Sequence, residues 1–261
     1  MSNAPTVLQS DQLRDRAATL RNRAGLGANK NLLFWYRELY RDQFKEFPNP
    51  AALSILEIGS GTSPLKQFLP NVVTSDVLDL DYLDLVFDCH EIDRLDVIKD
   101  NSLDVITVTN VLHHLKSPIA FLKRAASKLK SGGKLIATEP FFSVLSTFIF
   151  KYLHHEPVDF AISEPELDDV EGPLASANIA LPWLIFFRNR EWLQRLNDNF
   201  DVAHFSVRHF SALSYMMTGG ISHSLPVPLL LYRVLFPVDL ALSRRFPSFF
   251  AAFCTVTLTR R

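Results

Sequence analysis

Five short apolar runs between residues 54 and 140, each ending on a glycine, an acid or another small polar group, leave this chain few folds to choose from. SILEI (54–58) runs into Gly59 and Gly61, VVTSD (72–76) ends on Asp76, and LDLVFD (83–88) ends on Asp88. LDVITVTN (103–110) ends on Asn110, and KLIATEP (134–140) is the fifth. Between the fourth and fifth, PIAFLKRAASKLK (118–130) has the three-to-four spacing of an amphipathic helix, with Gly132 and Gly133 where a helix C-cap favours glycine. Apolar strands that alternate with helices predict a parallel sheet covered on both faces, an α/β fold.

The flanks extend this core. Residues 10–46 read as helix, with Leu13, Ala17 and Leu20 at helical spacing and FPNP as the stop. NREWLQRLNDNF (189–200) predicts a further helix, DVAHFSVRHF (201–210) a strand and FAAFCTVTLTR (250–260) a last strand. Two long apolar excursions, 141–188 and 211–249, interrupt the pattern. With 48% hydrophobic and 21% charged residues the chain can bury one sizeable core. Residues 1–261 are therefore expected to form a single domain: N-terminal helices (1–50), a cofactor-binding core (52–140) and a cap from the two excursions.

Parallel α/β sheets bind ligands beyond the carboxyl ends of their strands. Gly59 and Gly61 let a ligand approach the backbone, since glycine has no Cβ and tolerates positive φ. Asp76 lies 19 residues after Glu57, a separation that suits a carboxylate gripping ribose hydroxyls. Asp88 can accept from an adenine amino group, and Asn110 closes the next strand. A nucleotide-like cofactor follows, and a dinucleotide enzyme shares the glycine turn and the spaced acid.

EIGSGT, TSD, FDCHEI, DNSLDVITVTNVLHHL and LKSGGKLIATEP, in this order, resemble the successive motifs of class I S-adenosylmethionine-dependent methyltransferases, in the small-molecule branch that includes the ubiquinone and menaquinone enzymes. The resemblance implies a Rossmann-like, seven-stranded, mostly parallel sheet with an antiparallel last strand, and S-adenosylmethionine as cofactor. It implies that Glu57 holds the loop and the cofactor's amino group, and that Gly59 and Gly61 let its methionine part lie on the backbone. Asp76 would bind the ribose, Asp88 the adenine beside the backbone of Cys89 or His90, and Asn110 would line the sulfonium pocket. Two departures stand out. Ser63 replaces a third glycine, with Pro64 after it, and only DVLDLDYLDLV joins Asp76 to the third strand, too little for a crossover helix plus strand, so Asp79 or Asp81 competes for the ribose role.

Methyl transfer needs a base only where the acceptor carries a proton, and histidine titrates near neutrality. His154 and His155, in KYLHHEPVD, are the leading candidates, with Glu156 as an orienting acid; His114 is a third and His113 neighbours it. No HxxxH or Cys/His spacing argues for a metal, and Cys89 and Cys254 read as buried thiols. A formal charge of −1 gives no field for nucleic acid. The N-terminus has no basic start followed by an apolar core, so a cytoplasmic location is expected. Residues 225–242 hold 13 apolar residues, three prolines, Arg233 and Asp239. The three prolines argue against one long regular helix, and Pro237 with the two charges argues against a membrane span; a lid over an apolar or lipid-linked acceptor, walled by Leu230, Leu231, Val234 and Leu235, or a patch resting on a bilayer, is expected instead. The resulting expectation is O-methylation of a small molecule, the alternative being a non-catalytic binding protein or partner subunit on the same fold.

Overall fold

The computed structural model describes residues 7–154, 156–168, 176–221 and 223–261. Its sheet contains β1 (Ile55–Ile58), β2 (Val72–Asp76), β3 (Leu85–Val86), β4 (Leu103–Thr109), β5 (Leu129–Pro140), β6 (Ser206–Ser211) and β7 (Ala251–Thr259). Their spatial order is β3-β2-β1-β4-β5-β7-β6. Neighbours from β3 to β5 pair in parallel, while β7 runs antiparallel to both β5 and β6. The strand order reverses between β1 and β4, which places a ligand crevice beyond Ile58 and Thr109.

Side chains alternate along each strand and feed two separate cores. Leu56, Ile106 and Val108 face a cluster with Phe121 and Leu122 of α4 (Pro118–Lys128) and with α6 (Ala180–Trp183) and α7 (Arg190–Gln194). Ile55, Val105 and Ile136 face the other way, onto Leu32, Trp35 and Leu39 of α2 (Lys30–Phe44) and Tyr232 and Phe236 of α9 (Leu229–Arg245). Burying side chains of this size is worth roughly 1.5–3 kcal/mol each, so the sheet is held from both faces.

The helical N-terminus is two helices, α1 (Val7–Ala28) and α2, because Asn29 leaves the helical conformation and its side chain accepts from Leu32 N at 3.1 Å. The short connection after Asp76 holds no helix; β2 joins β3 through a loop pinned by buried Leu78 and Leu80. Only the four-residue α3 (Leu65–Phe68) lies between β1 and β2.

Three expectations are corrected. Gly132 and Gly133 do not cap α4: Leu129 is already extended, and both glycines lie within β5, Gly132 with φ +76. The register against β4 shifts there, a bulge that only glycine fills without strain. The helix expected over 189–200 is the short α7, preceded by a π-type turn at Leu184–Arg188. Residues 229–245 form one helix, α9, despite Pro237. Pro226 and Pro228 lie before it, and the carbonyl that Pro237 cannot serve belongs to Arg233 on the exposed face, open to solvent.

The excursions contribute α5 (Val144–Tyr152), α6, α8 (Leu213–Thr218), α9 and α10 (Pro247–Phe250). Among the described residues no helix is long and apolar enough to cross a membrane.

Candidate active site

The glycine turn after β1 is built by hydrogen bonds that the apolar strand alone cannot supply. Gly59 adopts φ +76, and a Cβ there would sit 2.3 Å from Cγ2 of Val111. Glu57, buried, accepts from Ser60 Oγ at 2.8 Å and Ser63 Oγ at 2.6 Å, and Ser63 Oγ also meets Tyr40 Oη at 2.8 Å. Burial pushes the Glu57 carboxyl up to about 7, the two serine hydroxyls opposing that shift only in part. Ser63 thus replaces the third glycine with a hydroxyl that ties the loop to the strand beneath it.

Asp76 finishes the loop from the neighbouring strand. Its Oδ2 accepts from Gly61 N at 2.9 Å and its Oδ1 from Leu78 N at 3.1 Å. Tyr82 Oη donates to the Gly61 carbonyl at 2.6 Å, with the Arg23 guanidinium stacked on its ring. A Cβ on Gly61 would meet Thr19 Cγ2 at 2.8 Å, so α1 closes over the turn. Asp79 and Asp81 are exposed and do not line the crevice, which leaves Asp76 as the acid aimed into it.

One cavity of about 1270 Å³ opens here, above the roughly 300–1,000 Å³ of an ordinary small-molecule pocket. Gly59, Gly61, Asp76, Asp88, Cys89, His90 and Asn110 line one end. Asp88 accepts from His90 N at 2.9 Å and meets His90 Nδ1 at 2.8 Å. Asn110 has φ +55, and its buried Oδ1 has no partner among the described residues. A buried amide oxygen without a donor is costly unless a ligand serves it. Glu57 is the exception among the expected cofactor residues: it lies behind the loop, outside the cavity lining, and reaches a ligand only through the turn it holds.

The other end is lined by Ile149, Phe150, Leu153, Tyr215, Ile221 and Phe253, and by His113, His114, His154 and Glu156. His113 Nδ1 lies 2.6 Å from Glu139 Oε2, whose other oxygen accepts from Val111 N and Leu112 N at 2.9 and 2.7 Å. Burial alone would depress His113, yet Glu139 and Glu156 hold its pKa well above the ordinary imidazole range. Burial and the neighbouring His113 push His114 the other way, toward the neutral form. His154 Nδ1 accepts from Glu156 N at 3.2 Å. His155 lies outside the described residues. Glu139 went unrecognised in the sequence; an acid inside the apolar run KLIATEP, facing a histidine pair after β4, was the available signal.

Leu230, Leu231, Val234 and Leu235 do not wall this cavity, against expectation. Tyr232 and Phe236 on the opposite side of α9 reach the core instead, leaving Leu230 78% and Val234 60% exposed.

Residues 32–214 match the family described as a methyltransferase domain. This chain is a class I S-adenosylmethionine-dependent methyltransferase. No curated protein sequence matches it. Among solved structures, an S-adenosylmethionine-dependent methyltransferase from Thermotoga maritima is 14% identical with a TM-score of 0.51, over 92% of this chain and 99% of that one. Another from Archaeoglobus fulgidus is 15% identical with a TM-score of 0.46, over 85% and 94%. At 14% identity the likeness to the Thermotoga maritima protein concerns the fold alone. The orphaned Asn110 oxygen, in a cavity that Gly59 and Gly61 also line, fits the methyltransferase cofactor.

Proposed function

We propose that this methyltransferase transfers a methyl group to an oxygen of a small apolar or lipid-linked molecule. The observation that carries the reading is the continuity of one cavity from the glycine turn to the apolar side chains of both insertions. Its volume leaves room for an acceptor beside the cofactor.

S-adenosylmethionine supplies an electrophilic methyl group on a positively charged sulfur. A carboxylate offers about four acceptor positions, and Asp76 uses two on the backbone, so the remainder suit the ribose hydroxyls. Asp88, with Cys89 and His90 beside it, suits the adenine edge, and Asn110, its Oδ1 unpartnered among the described residues, suits the reacting end. Glu57 and Ser63 keep the turn in the shape that admits the ligand. Phe150, Tyr215 and Ile221 orient an apolar acceptor, and such positioning supplies most of the rate in a direct displacement. An oxygen acceptor must lose a proton, and His154 or the neutral His114 stands at that end to take it.

The outer face of α9 suits a lipid surface as the source of such an acceptor. Leu230, Leu231, Val234, Leu235 and Val238 are exposed along it, with Arg233 and Arg245 nearby. The test is transfer of a tritiated methyl group to a polyprenol-linked sugar and to a long-chain phenol. Enzyme-dependent label in the organic phase supports the reading. A protein that binds S-adenosylhomocysteine but labels no hydroxyl compound would return the chain to the binding-protein alternative.

A further inference from the structure

We propose that His113, His114 and Glu156 form a binding site for a divalent transition-metal ion, Zn²⁺ first among them, at the acceptor end of the cavity. Both imidazoles are oriented through Nδ1. His113 Nδ1 meets Glu139 Oε2 at 2.6 Å, and His114 Nδ1 meets the carbonyl of Ser176 at 3.0 Å. A carbonyl only accepts, so His114 keeps its proton on Nδ1 and presents the lone pair of Nε2. A carboxylate or carbonyl behind an imidazole, with the other nitrogen turned outward, is the usual support of a metal-bound histidine.

The outward nitrogens converge on one carboxylate. His113 Nε2 lies 3.5 Å from Glu156 Oε2, where an ion would displace the proton this nitrogen carries, and His114 Nε2 lies 3.7 Å from Glu156 Oε1. A tetrahedral ion with bonds of about 2.0–2.1 Å separates its ligand atoms by ~3.4 Å, so small adjustments admit it. One ligand atom from each of the three residues lies within 4.8 Å of the others. Two imidazoles and one carboxylate, with a fourth position open, are the donor set of many catalytic zinc sites. All three residues line the cavity, so the open position faces the acceptor space.

The sequence spacing conceals this cluster because Glu156 comes from the chain after α5, not from the histidine motif. A second cluster, Asp88, Cys89 and His90, is less suited. His90 has both ring nitrogens engaged, Nδ1 with Asp88 and Nε2 with Ser117 N at 3.3 Å.

The ion's use rests on the methyl-transfer reading. An acceptor hydroxyl at the open position would lose its proton more readily, as metal-bound water does, and with His114 held by the ion that proton passes to His154, which lines the same cavity. Its oxygen then forms the new C–O bond while the S–C bond breaks and leaves its electron pair on sulfur.

The experiment is calorimetric titration of chelator-treated full-length protein with Zn²⁺, alongside the visible absorption of Co²⁺, on wild type and on Glu156→Gln, His114→Ala, Glu139→Gln and Cys89→Ser. One Zn²⁺ per chain is expected. Removing a ligand, by Glu156→Gln or His114→Ala, should weaken binding by more than ~100-fold, and Glu139→Gln by about 10–100-fold, as loss of an outer partner does. The Co²⁺ bands should vanish with Zn²⁺ affinity. Wild-type protein that takes up no Zn²⁺ overturns the proposal. So does binding that survives both ligand variants, or that only Cys89→Ser abolishes. S-adenosylhomocysteine titrated into the same samples separates the two readings: its failure to bind, with Zn²⁺ held, would count against methyl transfer and leave the metal site standing.

Discussion

At the glycine-loop end of the cavity, Gly59, Gly61, Asp76, Asp88 and Asn110 all stand within three residues of a β-strand's carboxyl end. At the cap end, Glu156 arrives from the chain after α5, Tyr215 from α8, and Phe253 from the last strand. The first region is a consequence of strand order, since a parallel sheet delivers its strand ends to one edge. The second is assembled by packing between insertions, which no local pattern encodes. Backbone geometry should therefore govern the cofactor end, and individual side chains the acceptor end.

The strongest attack on the first half of that contrast is Gly59→Val. Left-handed backbone costs a β-branched residue about 1–2 kcal/mol, and the Val111 contact adds to it. A total loss of about 2–4 kcal/mol of stability is expected in urea denaturation, together with loss of S-adenosylhomocysteine binding.

Slightly smaller is the pH effect of Glu57. Its folded pKa of about 7 lies above the ordinary 4.5, so the folded state binds the proton more tightly than the unfolded chain. That contribution is fully present below pH 4.5 and is lost as pH rises through about 7, at ~1.4 kcal/mol per unit, or about 3 kcal/mol in all. Glu57→Gln should flatten the fall in stability between pH 5 and 7.5, seen by denaturation at the two pH values. An unchanged slope would mean that the buried carboxyl is ionised throughout.

Asp76→Ala comes next. It should weaken S-adenosylhomocysteine binding by about 1.5–3 kcal/mol, the worth of a hydrogen bond to a charged group, while Asp79→Ala and Asp81→Ala leave it unchanged. Calorimetry that finds the reverse would move the ribose site along the loop.

These three tests concern residues that the amino-acid sequence itself makes legible. EIGSGT and the acids at 76 and 88 stand out because strand ends and glycine turns are local features. The parallel pattern with an antiparallel β7 is legible for the same reason. What escapes the sequence is long-range. The Glu139–His113 pair joins residues 26 positions apart, and the contact of α1 with Gly61 depends on how a helix folds back over a loop. The excursion over 225–242 misleads because the number of prolines says less than their places: two precede α9, and the third falls on its wet face.

The smallest expected effect falls on that helix. Leu230 and Leu231 are exposed, so replacing both by serine should change stability by no more than about 0.5 kcal/mol each. If α9 rests on a lipid surface, the same variant should lose the flotation with anionic liposomes that the native protein shows. Equal flotation, or none by either, removes the lipid contact and leaves the cavity reading untouched.

The division of the cavity into a cofactor end and an acceptor end is tested most directly by a crystal structure of the protein with S-adenosylhomocysteine. The adenosine should lie between Asp76 and Asp88, with the sulfur toward Asn110 and the space bounded by Phe150, Tyr215 and Ile221 still open. A ligand found among those apolar side chains, or one whose ribose makes no contact with Asp76, would contradict the account.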